Sequence, residues 1–137
     1  MKKKIILIAG IALVLISAIV FWIMTAGFNS NFAKTITLNF TKYEEKVSET
    51  IDDSATVKEL KGILKGKTNS NGQDSDFSED ISIELTNGKK TVVLYPALDG
   101  SPILRIDKSN KYVKISDSAR RKIDLLFLNY GYRFSGN

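Results

Sequence analysis

Seven oxygen-bearing side chains crowd one stretch of the chain: Asn69, Asn71, Gln73, Asp74, Asp76, Glu79 and Asp80. Hard oxygen ligands at such density are what a calcium loop offers. A loop of the EF-hand kind also needs Gly at its sixth position and Glu at its twelfth. Counted from Asn69 those positions hold Asp74 and Asp80, so the pattern fails. What remains is a solvated loop, polar because it is not buried, and no metal is expected.

Nucleophilic chemistry finds as little support. The chain has no Cys and no His. That removes a thiol nucleophile, a disulfide and a lipid-accepting cysteine, together with the commonest general base near neutral pH and the commonest zinc ligand. Serines are plentiful, yet none stands in a G-x-S-x-G elbow and no S-x-x-K falls at a plausible site. Glu84, Asp99 and Asp107 lie on or near expected strands, where an edge carboxylate is usually a solubility device. No catalytic residue and no cofactor are assigned, and a hydrolase of unrecognised type ranks last among the readings.

The elements that would position any site are clearer. Thr35–Thr41 ("TITLNFT") alternates strictly, placing Ile36, Leu38 and Phe40 on one face of a strand. "YEEKVSETIDD" is charged and reads as a connector with a short helical or extended piece. "DSATVKELKGILKG" predicts a helix capped by Asp53 or Ser54, with Val57, Leu60, Ile63 and Leu64 on its apolar side and Gly66 ending it. "ISIELTNGKKTVVLYP" predicts a hairpin about Asn87-Gly88, the pair favoured by a type I′ turn. "ILRID" and "KYVKIS" add two strands, separated from the hairpin by the turn Asp99–Pro102. A closing helix starts at Ser116 or Asp117, carries the stripe Ala119, Ile123, Leu126, Phe127 and Tyr130, and stops at Gly131. Arg120, Arg121 and Lys122 sit in its N-terminal half, where the helix dipole disfavours cations, a hint of another task. The expected class is α+β: a mainly antiparallel sheet of four to five strands with two helices, after an N-terminal transmembrane helix.

On that sheet Ile81, Ile83, Leu85, Val92, Leu94, Leu104, Ile106, Val113 and Ile115 fall on an inner face under the helices. Val93, Tyr95, Ile103, Arg105, Tyr112 and Lys114 fall on the other face. Its aromatic and basic groups suit a protein or peptide partner, and Tyr95, Arg105, Tyr112 and Lys114 are the candidate partner-binding residues. The competing expectation is that Ile36, Leu38 and Phe40, or the tail "YRFSGN", cover this face.

The chain begins with Lys2, Lys3 and Lys4, and an uncharged run of 20 residues follows from Ile5 to Met24. That run matches a ~30 Å hydrocarbon core as a helix and exceeds the ~7–15 residues of a signal-peptide apolar region. Phe21 and Trp22 suit an interfacial belt, and the lysines place the N-terminus in the cytoplasm. The alternative is cleavage, with Thr25 and Gly27 as an A-x-A-like pair. Residues 1–27 are thus read as a transmembrane signal-anchor, 28–34 as a linker, and 35–137 as an extracytoplasmic domain. Of 20 basic residues three precede the apolar run, leaving 17 against 15 acidic ones. So small an excess argues against a nucleic-acid partner.

The span Val57–Leu126 resembles the YhfM-like group of small extracytoplasmic domains of Gram-positive bacteria, through "TVKELKGILKG", "ISIELTNGKKTVVLYP" and "KYVKISDSARRKIDLLF". The resemblance implies a membrane-tethered domain outside the cell and transfers no activity and no site. The acidic loop and an anchor without a lipobox cysteine depart from its lipoprotein members. The function expected first is a non-enzymatic, membrane-anchored binding or accessory module for an envelope protein or peptide. The alternative is a basic contact domain for anionic envelope polymers or lipid headgroups, through Arg105, Lys108, Lys111, Lys114 and Arg120–Lys122.

Overall fold

The computed structural model describes residues 2–25, 27–70 and 75–135, with the backbone alone for residues 20–25. The apolar run forms helix α1 (Lys2–Thr25), with the three lysines in its first turn. Ile5, Ile6, Leu7 and Ile8 point successively around the helix, and all four are at least 65% exposed, so no face of it is covered. None of the described α1 side chains joins the hydrophobic core.

Among the described residues no helix is long and apolar enough to cross a membrane, which corrects the expected transmembrane helix to that extent. The described apolar side chains run from Ile5 to Ile19. That stretch is about 22 Å at ~1.5 Å per residue, short of the ~30 Å required. Phe21, Trp22 and Met24 lie outside the described side chains.

The rest is α+β: an eight-stranded antiparallel sheet in the order β1-β4-β8-β7-β6-β5-β2-β3, with two helices on one side. The expected four to five strands are too few. The expected ones are β2 (Thr35–Lys42), β5 (Ser82–Thr86), β6 (Thr91–Pro96), β7 (Ile103–Ile106) and β8 (Tyr112–Lys114). The additional three are β1 (Phe28–Asn29), β3 (Glu45–Ile51) and β4 (Lys65–Asn69). Strand β3 occupies one edge, where charged Glu45, Lys46 and Glu49 guard against pairing with another chain. It is joined to β2 by a two-residue loop, Tyr43-Glu44, between the paired Lys42 and Glu45. Both loop residues have positive φ (50° and 66°), the type I′ requirement usually met by Asn and Gly.

The Asn87-Gly88 hairpin is present, but its turn is set one residue later. The Asn87 N–H donates to the Lys90 carbonyl at 3.1 Å, which puts Gly88 and Lys89 at the centre. Only Gly88 has positive φ (89°), as in a type II′ turn.

Helix α2 (Ser54–Ile63) carries the chain from β3 to β4 on the far side of the sheet. The Asp53 carboxylate caps it by accepting from the Thr56 N–H at 2.9 Å, and the Thr56 hydroxyl, then this N–H, hold its pKa below the ordinary carboxylate value. The helix ends at a Leu64 C-cap, and Gly66 belongs to β4. A Cβ on Gly66 would collide with the Lys114 carbonyl oxygen, and one on Gly27 with the Gly66 carbonyl oxygen. These glycines let three backbones approach closely and do not mark a helix stop. Helix α3 (Asp117–Asn129) is capped by the Ser116 hydroxyl, which accepts from the Ala119 N–H at 3.1 Å.

The core lies between the helices and the inner face. Phe40, Phe127 and Phe134 are 1% exposed or less, and Phe127 meets Phe40 and Phe134 edge to face at 6.1 and 5.3 Å. Such pairs add to area burial because ring edges and faces carry opposite partial charge. Residues 28–34, expected as a linker, are part of this body: β1 pairs with β4, and Ser30 and Ala33 are fully buried.

Candidate functional site

Three of the four expected partner residues form one ladder on the outer face. Tyr95 stands opposite Arg105, Arg105 opposite Tyr112, and Tyr112 opposite Asn69. Alternation puts all four side chains on the same side of the pleat. The Arg105 guanidinium lies 4.7 Å from the Tyr95 ring centroid and 6.0 Å from that of Phe77, a cation-π arrangement. Phe77 also packs on Tyr112 at 5.5 Å.

Phe77 belongs to the acidic stretch, so the face and the loop are one structure and not rival sites. Two hydrogen bonds pin the loop there. The Ser75 hydroxyl donates to the Asp99 carboxylate at 3.1 Å, and the Leu98 N–H donates to the Asp76 carbonyl at 2.9 Å. Asn71, Gln73 and Asp74 lie outside the described residues. The two expected covers are elsewhere: Ile36, Leu38, Phe40 and Phe134 are all in the inner core.

Beneath this lid Tyr95 is only 7% exposed, although it stands outside the main core. Its burial, then the neighbouring Asp107 carboxylate, raise the phenol pKa above 10. Arg105 keeps 32% of its side chain exposed and reaches Glu79 at 3.9 Å, a weak contact because Glu79 is 80% exposed. The Arg105 Nε is buried and has no hydrogen-bond partner. Lys114 is exposed on the same face two residues beyond Tyr112, opposite Lys67, and makes no ring contact among the described residues.

The basic residues expected to act together are scattered. Lys108 and Lys111 flank the β7–β8 turn. Lys122 is 4.0 Å from Glu59 on α2. Arg120 is internal: its side chain is 3% exposed and its Nε donates to Asp124 at 2.9 Å. Its Nη1 donates to the Ser101 carbonyl at 3.1 Å, and its guanidinium stacks 4.6 Å from Phe134. Burial pulls its pKa down while Asp124 pushes it back. The cation that suits the helix dipole poorly is thus a clamp joining α3, the 99–102 turn and the C-terminal tail.

Arg120 takes a buried position on α3 beside Ala119, Ile123 and Phe127, and Leu125 and Leu128 are left outside, 59% and 42% exposed. They form an open groove of about 330 Å³ with Phe134, rimmed by Arg121, Arg133 and the Arg120-paired Asp124. The sequence reading missed this groove. Its signal was in "IDLLFLN", which holds more apolar residues than one helix face can bury.

Among the described residues no group of three or more carboxylate, His or Cys side chains is placed to hold a metal ion. No family model, no curated protein and no solved structure matches the chain.

Proposed function

We propose that this chain is a non-enzymatic, membrane-tethered binding or accessory module, with its N-terminus cytoplasmic and its folded domain outside, in the manner of the YhfM-like group it resembles. The observation that carries the reading is the apolar surface the fold leaves uncovered. Helix α1 exposes large aliphatic side chains on every face. Water disfavours that surface at about 25 cal/mol per Å²; a bilayer does not. The run continues to Met24, past the last described side chain, and the lysines before it follow the positive-inside bias.

The partner surface is the α3 groove, where Leu125 and Leu128 offer apolar contact and Arg121 and Arg133 favour an acidic rim on the ligand. A second reading keeps the partner on the outer sheet face at Tyr95, Arg105, Tyr112 and Lys114, favoured by the unpartnered Arg105 Nε. Photo-crosslinking residues placed at Leu125, Leu128 or Tyr112 in intact cells test both. Crosslinks from the leucines that disappear with Arg121→Glu support the groove; crosslinks from Tyr112 alone favour the sheet face. Full extraction of the chain from membranes by alkaline carbonate would refute the tether.

A further inference from the structure

Where α1 meets the domain, three lysines gather without an ion-pair partner among the described residues. Lys65 and Lys67 alternate onto the same face of β4, and Lys67 stands directly opposite Lys114 of β8. All three are exposed. Like charges placed directly opposite on neighbouring strands destabilise the pair, so this arrangement works against the fold. Among the described residues no neighbouring side chain on these strands offsets it. Asn29 is the cross-strand neighbour of Lys65 and Ile103 that of Lys114. Asn69 and Tyr112 are the same-face neighbours one step along the strands. None of these four is charged, and none of the three lysines takes part in an ion pair among the described residues.

The location is specific. Thr25 ends α1, Phe28 begins β1, and β1 lies against Lys65 and Gly66. Three residues of chain reach at most about 11 Å. Anything that holds the end of α1 therefore lies within about 11 Å of Phe28, and β4 and β8 stand one and two strand spacings of about 4.8 Å further on. We infer that Lys65, Lys67 and Lys114 form a foot that rests on the anionic headgroups of the same bilayer that holds α1. This inference rests on the tether proposed above and goes beyond it, since a tethered domain can equally well float clear of the surface.

The test uses the full chain reconstituted into two vesicle types, zwitterionic phosphatidylcholine alone and phosphatidylcholine with phosphatidylglycerol. Flotation reads the tether. Amine acetylation by an uncharged reagent, followed by peptide mass spectrometry, reads each lysine. The expected result is flotation with both vesicles, several-fold slower modification of Lys65, Lys67 and Lys114 on the anionic ones, and equal rates for Lys89 at the distant hairpin. The protection disappears in 1 M salt, where the Debye length falls to about 3 Å. Lys114→Glu, which turns the like-charge pair into an opposite one, raises the melting temperature in detergent and abolishes protection of Lys67 on the anionic vesicles. Flotation with both types and equal lysine rates overturns the foot and leaves the tether standing. Failure to float with either overturns both. Protection on zwitterionic vesicles by an added soluble polyanion, without protection by the anionic bilayer, assigns the lysines to a polymer and overturns the lipid assignment.

Discussion

Arg120 and Arg105 look alike in their contacts and differ in their surroundings. Each lies over an aromatic ring, each approaches a carboxylate, and each has a buried guanidinium nitrogen with no partner. On the inner side Arg120 is 3% exposed and Asp124 14%, at 2.9 Å. On the outer side Arg105 is 32% exposed and Glu79 80%, at 3.9 Å. The dielectric around the first pair makes it strong once formed and costly to break; water around the second keeps it weak and exchangeable. One face of the sheet thus fixes the fold, and the other has groups that can change partners.

The largest effect expected from this contrast is on stability. Arg120→Ala leaves the half-buried Asp124 without this counter-ion, removes the Ser101 and Phe134 contacts, and costs about 3 kcal/mol. Arg105→Ala loses a mostly solvated pair and some stem packing, about 1 kcal/mol. Chemical denaturation of the full chain in detergent measures both, and equal costs would break the comparison. Replacing Arg120 by Met together with Asp124 by Leu should recover most of the loss, since the pair is then removed and not orphaned.

A smaller effect is expected where β4 packs against β8. Gly66→Ala drives a methyl group into the Lys114 carbonyl, and overpacking of this kind costs about 1–3 kcal/mol. Hydrogen exchange should show β4 and β1 loosened while α3 and its Arg120 clamp stay protected. Uniform loosening would mean that the core depends on the β4–β8 contact.

The smallest effect is spectroscopic. Burial raises the phenol pKa of Tyr95 and of Tyr132 above 10. A raised folded-state value favours the fold below pH 10, and that contribution is lost as pH rises through it. Ultraviolet titration should show late tyrosinate components that Tyr95→Phe and Tyr132→Phe each reduce. Asp107→Asn should move only the Tyr95 component downward, because the Asp107 charge is among its causes. No late component from Tyr95 would mean that the outer face is open to water.

What was legible in the sequence follows from period and capping. The alternation of β2, the β5–β6 hairpin, the meander to β8 and both capped helices of the domain appear where local rules place them. Strand β3 was hidden because an edge strand keeps one side polar, and its charges read as a connector. Strand β4 was hidden because Gly66 resembles a helix stop, and only a tertiary approach to Lys114 explains it. Of the site, the row Tyr95, Arg105 and Tyr112 was readable from alternation. Phe77 as its lid was not, since nothing local tells a polar loop which surface it will lie on. Arg120 as a core residue was equally hidden, because its partners Ser101, Asp124 and Phe134 converge only in the folded chain.

Strand β1 has a mechanical consequence. A pull transmitted through α1 enters the domain at a strand with only two paired residues. The next strand, β2, is held on both sides by β3 and β5 over a much longer register. Under tension β1 is the element expected to peel first, while the fully buried Ser30 and Ala33 and the Lys34 N–H bond to the Thr86 carbonyl keep the rest of the segment seated. Two residues drawn out give up to about 7 Å of extra reach. The short strand at the head of the segment that reads as a linker is therefore a small stored length of chain, set free by force and taken back when the force is gone.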